Sequence, residues 1–237
     1  MPHSSAEVAK FLFEGTVPGY PKDAEVVGKE KVPALSPVTL ECVPDQFSAF
    51  NDLGRSSDPS VTGVHFYKSD DKFANIILNP QRFAPKVSNF KILLTPDITI
   101  GAEMPDWMRI RNTVASRMCG VVWERHGLTV VPSLRWVSES DCDFVALGVP
   151  RNSVFAVSTY GSTRDKLARR IFEQGLEILI DSLSPECVLV YGPRTENLLD
   201  KYSKLTRIRL YSAKTQEIAD VKESPNHAQE FSGLFQP

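Results

Sequence analysis

The sequence predicts an α/β fold with a largely parallel sheet and alternating helices, and three features carry that prediction. Apolar runs of strand length alternate with helical patterns through the middle of the chain. Most of these runs are rich in Val, Leu and Ile without polar alternation, the pattern of strands covered on both faces. Two long helical patterns stand between runs, each able to carry the chain from one parallel strand to the next.

The expected strands, in order, are Val64–Tyr67, Lys91–Thr95, Leu128–Leu134, Val154–Ser158, Cys187–Tyr191 and Arg207–Tyr211. Phe144–Leu147 reads equally as a strand or a short helix. The first long helix is expected to begin near Pro105, a residue suited to an opening turn. Its stripe is Trp107, Ile110, Val114, Met118, Val121 and Val122, and Gly127 stops it. A second follows Ser162 and Thr163, which can cap free backbone donors; it carries Leu167, Ile171, Phe172, Leu176, Leu179 and Leu183 and ends before Pro185. A shorter helix is expected from about Thr195 to Lys204.

The single α/β domain therefore spans 45–211. Residues 1–44 form an irregular Pro-rich arm, because prolines 18, 21, 33, 37 and 44 each remove a backbone donor and bias the preceding residue away from helix. Residues 212–237 form a polar tail whose Phe231, Leu234 and Phe235 offer a docking point. Arm and tail are the two segments through which a protein partner would be held.

Composition removes several classes. With 237 residues, 27 Lys plus Arg against 29 Asp plus Glu, and a net charge of −2, the chain has no bulk electrostatic preference for a polyanion. Its four cysteines are far apart with no CxxC pair, and no apolar run approaches the roughly 18 residues of a membrane span. A disulfide scaffold, a zinc finger and a membrane protein are disfavoured. Without a basic segment followed by an apolar stretch at its start, the protein is expected to be cytoplasmic.

Parallel strands deliver their carboxyl ends to one edge, where loops build a shared pocket. The expected form is an incomplete or modified (β/α) barrel, since no GxGxxG follows the first run; an open doubly wound sheet is the alternative. Four exit loops become neighbours: Thr95-Pro96-Asp97, Arg135-Trp136, Thr159-Tyr160-Gly161-Ser162 and Tyr191-Gly192-Pro193-Arg194.

Ser158, Thr159, Tyr160, Gly161, Ser162 and Arg164 lie where a strand feeds a glycine turn and a helix, a geometry that exposes backbone N–H groups to an anion. The same residues also suffice for a turn and a helix cap. Tyr191, Gly192 and Arg194 repeat the arrangement one unit later. Neither loop carries the lysine of a Walker motif. Asp97, at the end of a buried strand, is the candidate for acid–base work, with Arg135 neutralising charge; the competing reading is a carboxylate that ties down its loop. A Mg²⁺ site is expected only if Asp70 and Asp71 meet Asp97 in space. Between Pro105 and Trp136, five arginines (109, 111, 117, 125 and 135) face Asp106 and Glu124 alone, a local basic run that would suit nucleic acid, with Trp136 or Tyr160 as stacking surfaces.

Ordered short blocks carry a family likeness: Asp70-Asp71-Lys72-Phe73, Asn79-Pro80, Thr95-Pro96-Asp97-Ile98-Thr99, Glu103-Met104-Pro105, Val130-Val131-Pro132 with Trp136, Gly148-Val149-Pro150, Ala156-Val157-Ser158-Thr159-Tyr160-Gly161 and Tyr191-Gly192. Over roughly residues 60 to 195 the chain resembles the domain-of-unknown-function family numbered 4417, departing from its pattern at Ile98 and Glu103. The resemblance implies an origin among bacteria, phages and mobile elements, and no assigned activity. Residues and resemblance together lead to the expectation of a phage or mobile-element protein that binds a nucleotide or nucleic acid, whether as an enzyme or as a binding protein. An interaction module with no small-molecule site is the alternative.

Overall fold

A computed structural model describes residues 8–56, 58–162, 165–193 and 199–211. A short hairpin, β1 (Val26–Val27) and β2 (Val32–Pro33), precedes seven parallel strands. These are β3 (Gln46–Ala49), β4 (Thr62–His65), β5 (Ile92–Leu94), β6 (Val130–Val131), β7 (Val154–Ser158), β8 (Cys187–Tyr191) and β9 (Arg207–Tyr211). They pair in sequence order as a four-stranded and a three-stranded parallel sheet. The chain beyond β6 stitches the two together: Ser133 bridges Ala156, whose amide donates to Pro132 O while its carbonyl accepts from Leu134 N, both at 2.8 Å.

Helices fill the connections. α1 (Asp70–Ile77) and α2 (Pro80–Phe83) lead to β5, α3 (Asp106–Arg125) to β6, α4 (Cys142–Val145) to β7 and α5 (Lys166–Leu183) to β8. The ambiguous 144–147 segment is thus in part helix α4, and its Phe144 and Val145 pack into the core.

Register sorts side chains onto two faces. Phe66, Val64, Leu93 and Val130 point toward α3, where Ala115, Cys119 and Trp123 meet them. Phe155, Val157, Val188 and Val190 point toward α5 and its Phe172, Leu176, Leu179 and Ile180. The opposite face of the same strands, Ile92, Leu94, Val131, Val154, Ala156, Leu189 and Tyr191, packs on itself and on Val38, with no α-helix among its described residues. A sheet whose inner face is covered by its own strands is curled, which favours the barrel-like form over the doubly wound one. It is not a closed barrel. Among the described residues no ladder joins β9 to β3; the Tyr211 hydroxyl donates to Pro44 O at 2.7 Å, and the Phe47 and Tyr211 rings meet edge-on at 4.6 Å.

Several expectations shift. β3 is missing from the apolar runs because QFSA is short and only its Ala49 is fully buried. The expected α3 stripe holds at Val121 and Val122, which are buried, and at Ile110 and Met118, which pack against the core, but fails at Trp107, 63% exposed in the first turn. α5 starts at Lys166, not directly after Ser162 and Thr163, because Asp165 caps it by accepting from Ala168 N at 2.8 Å. The Pro-rich segment is irregular, yet Val17, Val32, Leu35 and Val38 are buried, with Leu35 N donating to Gly148 O and Val38 N to Ser153 Oγ. No helix among the described residues is long and apolar enough to cross a membrane. The tail from 212 lies outside the described residues.

Candidate functional site

Because all seven strands run the same way, their exit residues share one rim. The rim is assembled around Tyr67, just past β4. Its ring stacks on Tyr191 at the end of β8 (5.3 Å between centroids, 21°), and its phenol oxygen accepts from the Ser133 hydroxyl beyond β6 at 3.1 Å. Ser133 N in turn donates to Thr95 Oγ1 past β5 at 2.9 Å. Beside it, His65 closes the last position of β4, with Nδ1 accepting from Tyr67 N and the ring 4.1 Å from Tyr191. Burial pushes the Tyr67 phenol far above its ordinary range, so it stays protonated at physiological pH.

Asp97 follows β5 and Arg135 follows β6, adjacent strands, and the two side chains meet: Arg135 Nη1 donates to Asp97 Oδ2 at 2.7 Å. The pair is asymmetric. The Asp97 side chain is 7% exposed, that of Arg135 32%. Burial raises the Asp97 pKa, the Arg135 guanidinium pulls it back, and the nearby Asp70 carboxylate adds to the rise. Asp70 is also pushed up by burial, opposed by Thr99, whose amide and hydroxyl both donate to its carboxylate. Asp70 thereby pins the loop that carries Asp97, and Asn112 of α3 holds the same loop through Thr99 O at 2.8 Å.

Beneath the pair lies a small cleft, lined among others by Asp97, Asn112, Ser116, Arg117, Ser133 and Arg135. Arg117 is the residue that sequence reasoning missed. It is 1% exposed, donates to Ser133 O and Val145 O at 3.2 Å each, and its Nε–H has no hydrogen-bond partner among the described residues. The sequence held a signal: Arg117 sits within Ala115-Ser116-Arg117-Met118-Cys119-Gly120, a run of mostly small residues that brings a helix close to its sheet. A Cβ on Gly120 would come within 2.9 Å of Leu35 and Thr95 side-chain carbons.

The other expected residues divide. Thr159 and Tyr191 are neighbours on the rim, with Thr159 N donating to Tyr191 O at 3.0 Å. Gly192 sits at φ 138°, and its missing Cβ makes room for the Thr159 hydroxyl. Ser158 Oγ accepts from Tyr160 N, Gly161 makes its turn at φ 70°, and Ser162 Oγ reaches Tyr160 O only at 3.5 Å. Trp136 does not join the rim. Its indole donates to Ile171 O at 3.0 Å and stacks on Phe172, so it is a buried packing residue and not a stacking surface. Arg164 and Arg194 lie outside the described residues.

The basic run is no face. Arg109 binds Asp106 and Asp141, Arg111 lies over the Phe11 ring, Arg117 is buried, Arg125 binds Asp23 and Arg135 binds Asp97. The three-carboxylate Mg²⁺ arrangement is not formed either: Asp71 is exposed beside Ser69 and Lys72, and no group of three metal-ligating side chains occurs among the described residues.

Comparison with known proteins places this geometry in context. The family described as a domain of unknown function, DUF4417, matches residues 24–212. The Gene 1 protein of Mycobacterium phage D29 is 31% identical over 164 residues, covering 68% of this chain and 60% of that protein. The Gene 1 protein of Mycobacterium phage L5 is 31% identical over 165 residues, covering 68% of this chain and 71% of that protein. No solved structure matches.

Proposed function

The chain belongs to the DUF4417 family, with phage proteins among its relatives, and from that premise we propose that it binds a phosphate-containing ligand, a nucleotide or nucleic acid, at the rim cleft. One observation carries the reading: a third-exposed Arg135 is fixed in place by a buried carboxylate at the mouth of a cleft that holds a second arginine. A guanidinium held on one edge keeps its remaining N–H groups for a phosphate. Gly161 and Gly192 add turns on the same rim through which backbone could approach a ligand.

If the ligand is also a substrate, Asp97 is the proton acceptor, because its raised pKa lets it exchange a proton closer to neutrality than a free carboxyl, and Arg135 neutralises developing charge.

Thermal unfolding and calorimetry with a panel of nucleoside triphosphates and short single-stranded DNA and RNA test the proposal. Saturable stabilisation is expected, of about 2.7 kcal/mol when ligand stands at 100 times its Kd. Affinity should fall with added salt, and Arg135→Gln should weaken it by about tenfold or more. Phosphate release, if present, should vanish in Asp97→Asn. No response to any of these ligands, or affinity indifferent to Arg135→Gln, would overturn the assignment.

A further inference from the structure

Arg117 poses an electrostatic problem that the fold does not resolve internally. A guanidinium taken out of water is costly unless a counter-charge and hydrogen bonds replace its hydration. Among the described residues Arg117 has two backbone carbonyl partners, one N–H without a partner and no ion pair. Burial alone pushes it down to about 10, so it remains charged at neutral pH. Asp97 lines the same cleft, but its carboxylate is engaged by Arg135. The lining therefore carries two guanidinium groups against one carboxylate, and its polar remainder, Asn112, Thr113, Ser116 and Ser133, is neutral.

A purely structural strut between the β6 exit and α4 would need only a neutral donor. The positive charge has a use if the missing partner is brought in from outside. The cleft is far smaller than the roughly 300–1,000 Å³ of pockets that enclose a whole drug-sized ligand, so it has no room for a base or a sugar and admits at most a single small charged group.

We infer that this cleft is an oxyanion subsite in which Arg117 is the buried anchor for one phosphate group of the ligand, with Arg135 closing over it from the mouth. The inference rests on the phosphate-ligand reading above and assigns its charged end to a particular place.

The test uses inorganic phosphate as probe, against chloride at matched ionic strength, with the wild-type chain, Arg117→Met and Arg135→Gln. The wild type should show saturable stabilisation by phosphate, and Arg117→Met should lose it by about tenfold or more in affinity. In chloride the same variant should unfold close to the wild type, since relief of the buried charge is offset by the two carbonyls left without a donor. Should Arg117→Met fail to fold, the wild type alone decides: the Nε–H resonance of Arg117, assigned through its own side chain, should shift along a saturable curve as phosphate is added. A resonance that stays still, or phosphate affinity kept within twofold in Arg117→Met, overturns the inference. Nucleotide binding that depends on Arg135 but not on Arg117 overturns it while leaving the broader reading intact. Phosphate binding that depends on Arg117, with no nucleotide or nucleic acid bound, supports it and removes the broader reading.

Discussion

Asp97 shows at the scale of one residue how a site and a stable fold pull against each other. Its carboxyl is raised above the ordinary value of 3.8 by burial, and Arg135 only partly offsets that cost. A carboxyl with a raised folded-state pKa holds its proton better in the folded state. The stability this contributes is fully present below the unfolded pKa and is lost as pH rises through the folded one. Asp97→Asn, which cannot ionise, should therefore match the wild type in acid and surpass it at neutral pH, with the gap opening from about pH 4 upward. Urea midpoints across a pH series measure this; a wild type that stays the more stable at neutral pH would show that the Arg135 pair outweighs burial. Asp97 and Arg135 were legible because each directly follows a strand run. Trp136, one position further, was misread: strand exits alternate in direction, and only the position of α5 shows that this indole turns outward to Phe172.

Helix α5 makes the same point for an element. Its apolar periodicity is plain in the sequence, and its buried positions include the expected Phe172, Leu176, Leu179 and Leu183. Gly175 has no apparent reason in that pattern. In the fold it is where the Trp136 ring meets the helix, and a Cβ there would come within 2.5 Å of indole atoms. Gly175→Ala gains roughly 1 kcal/mol of helix propensity but forces an overpacking cost of about 1–3 kcal/mol. The urea midpoint should fall with an unchanged slope, and a rise would mean the indole yields freely. The start of α5 was legible only to within three residues, because Ser162, Thr163 and Asp165 are all competent caps and the choice belongs to the turn geometry. β3 was not legible at all: a four-residue edge strand buries too little to leave a hydrophobic run.

For the whole molecule, the open seam of the curled sheet and the Pro-rich segment belong together. Val38 packs on the inner face of the strands, and Val17, Leu35 and the hairpin residue Val32 are buried as well. Each such side chain contributes roughly 1.5–3 kcal/mol relative to exposure, a sum comparable with the stability of a typical domain. Deletion of residues 1–44 should therefore abolish cooperative folding, with loss of near-ultraviolet circular dichroism and gain of dye binding to apolar surface. A truncated chain that unfolds cooperatively near the wild-type midpoint would show that the segment is a detachable arm.

The sequence by itself determined the α/β class, the parallel direction of most strands, the two long helices and the family, because hydrophobic periodicity and short ordered motifs are local properties of the chain. Tertiary structure alone decided that the sheet curls without closing, that the arginines of one basic run are dispersed to separate partners, and that Arg117 is buried beside Asp97. Those outcomes depend on which faces meet across long separations in the chain, and the burial of a charge is set by neighbours that no local pattern names.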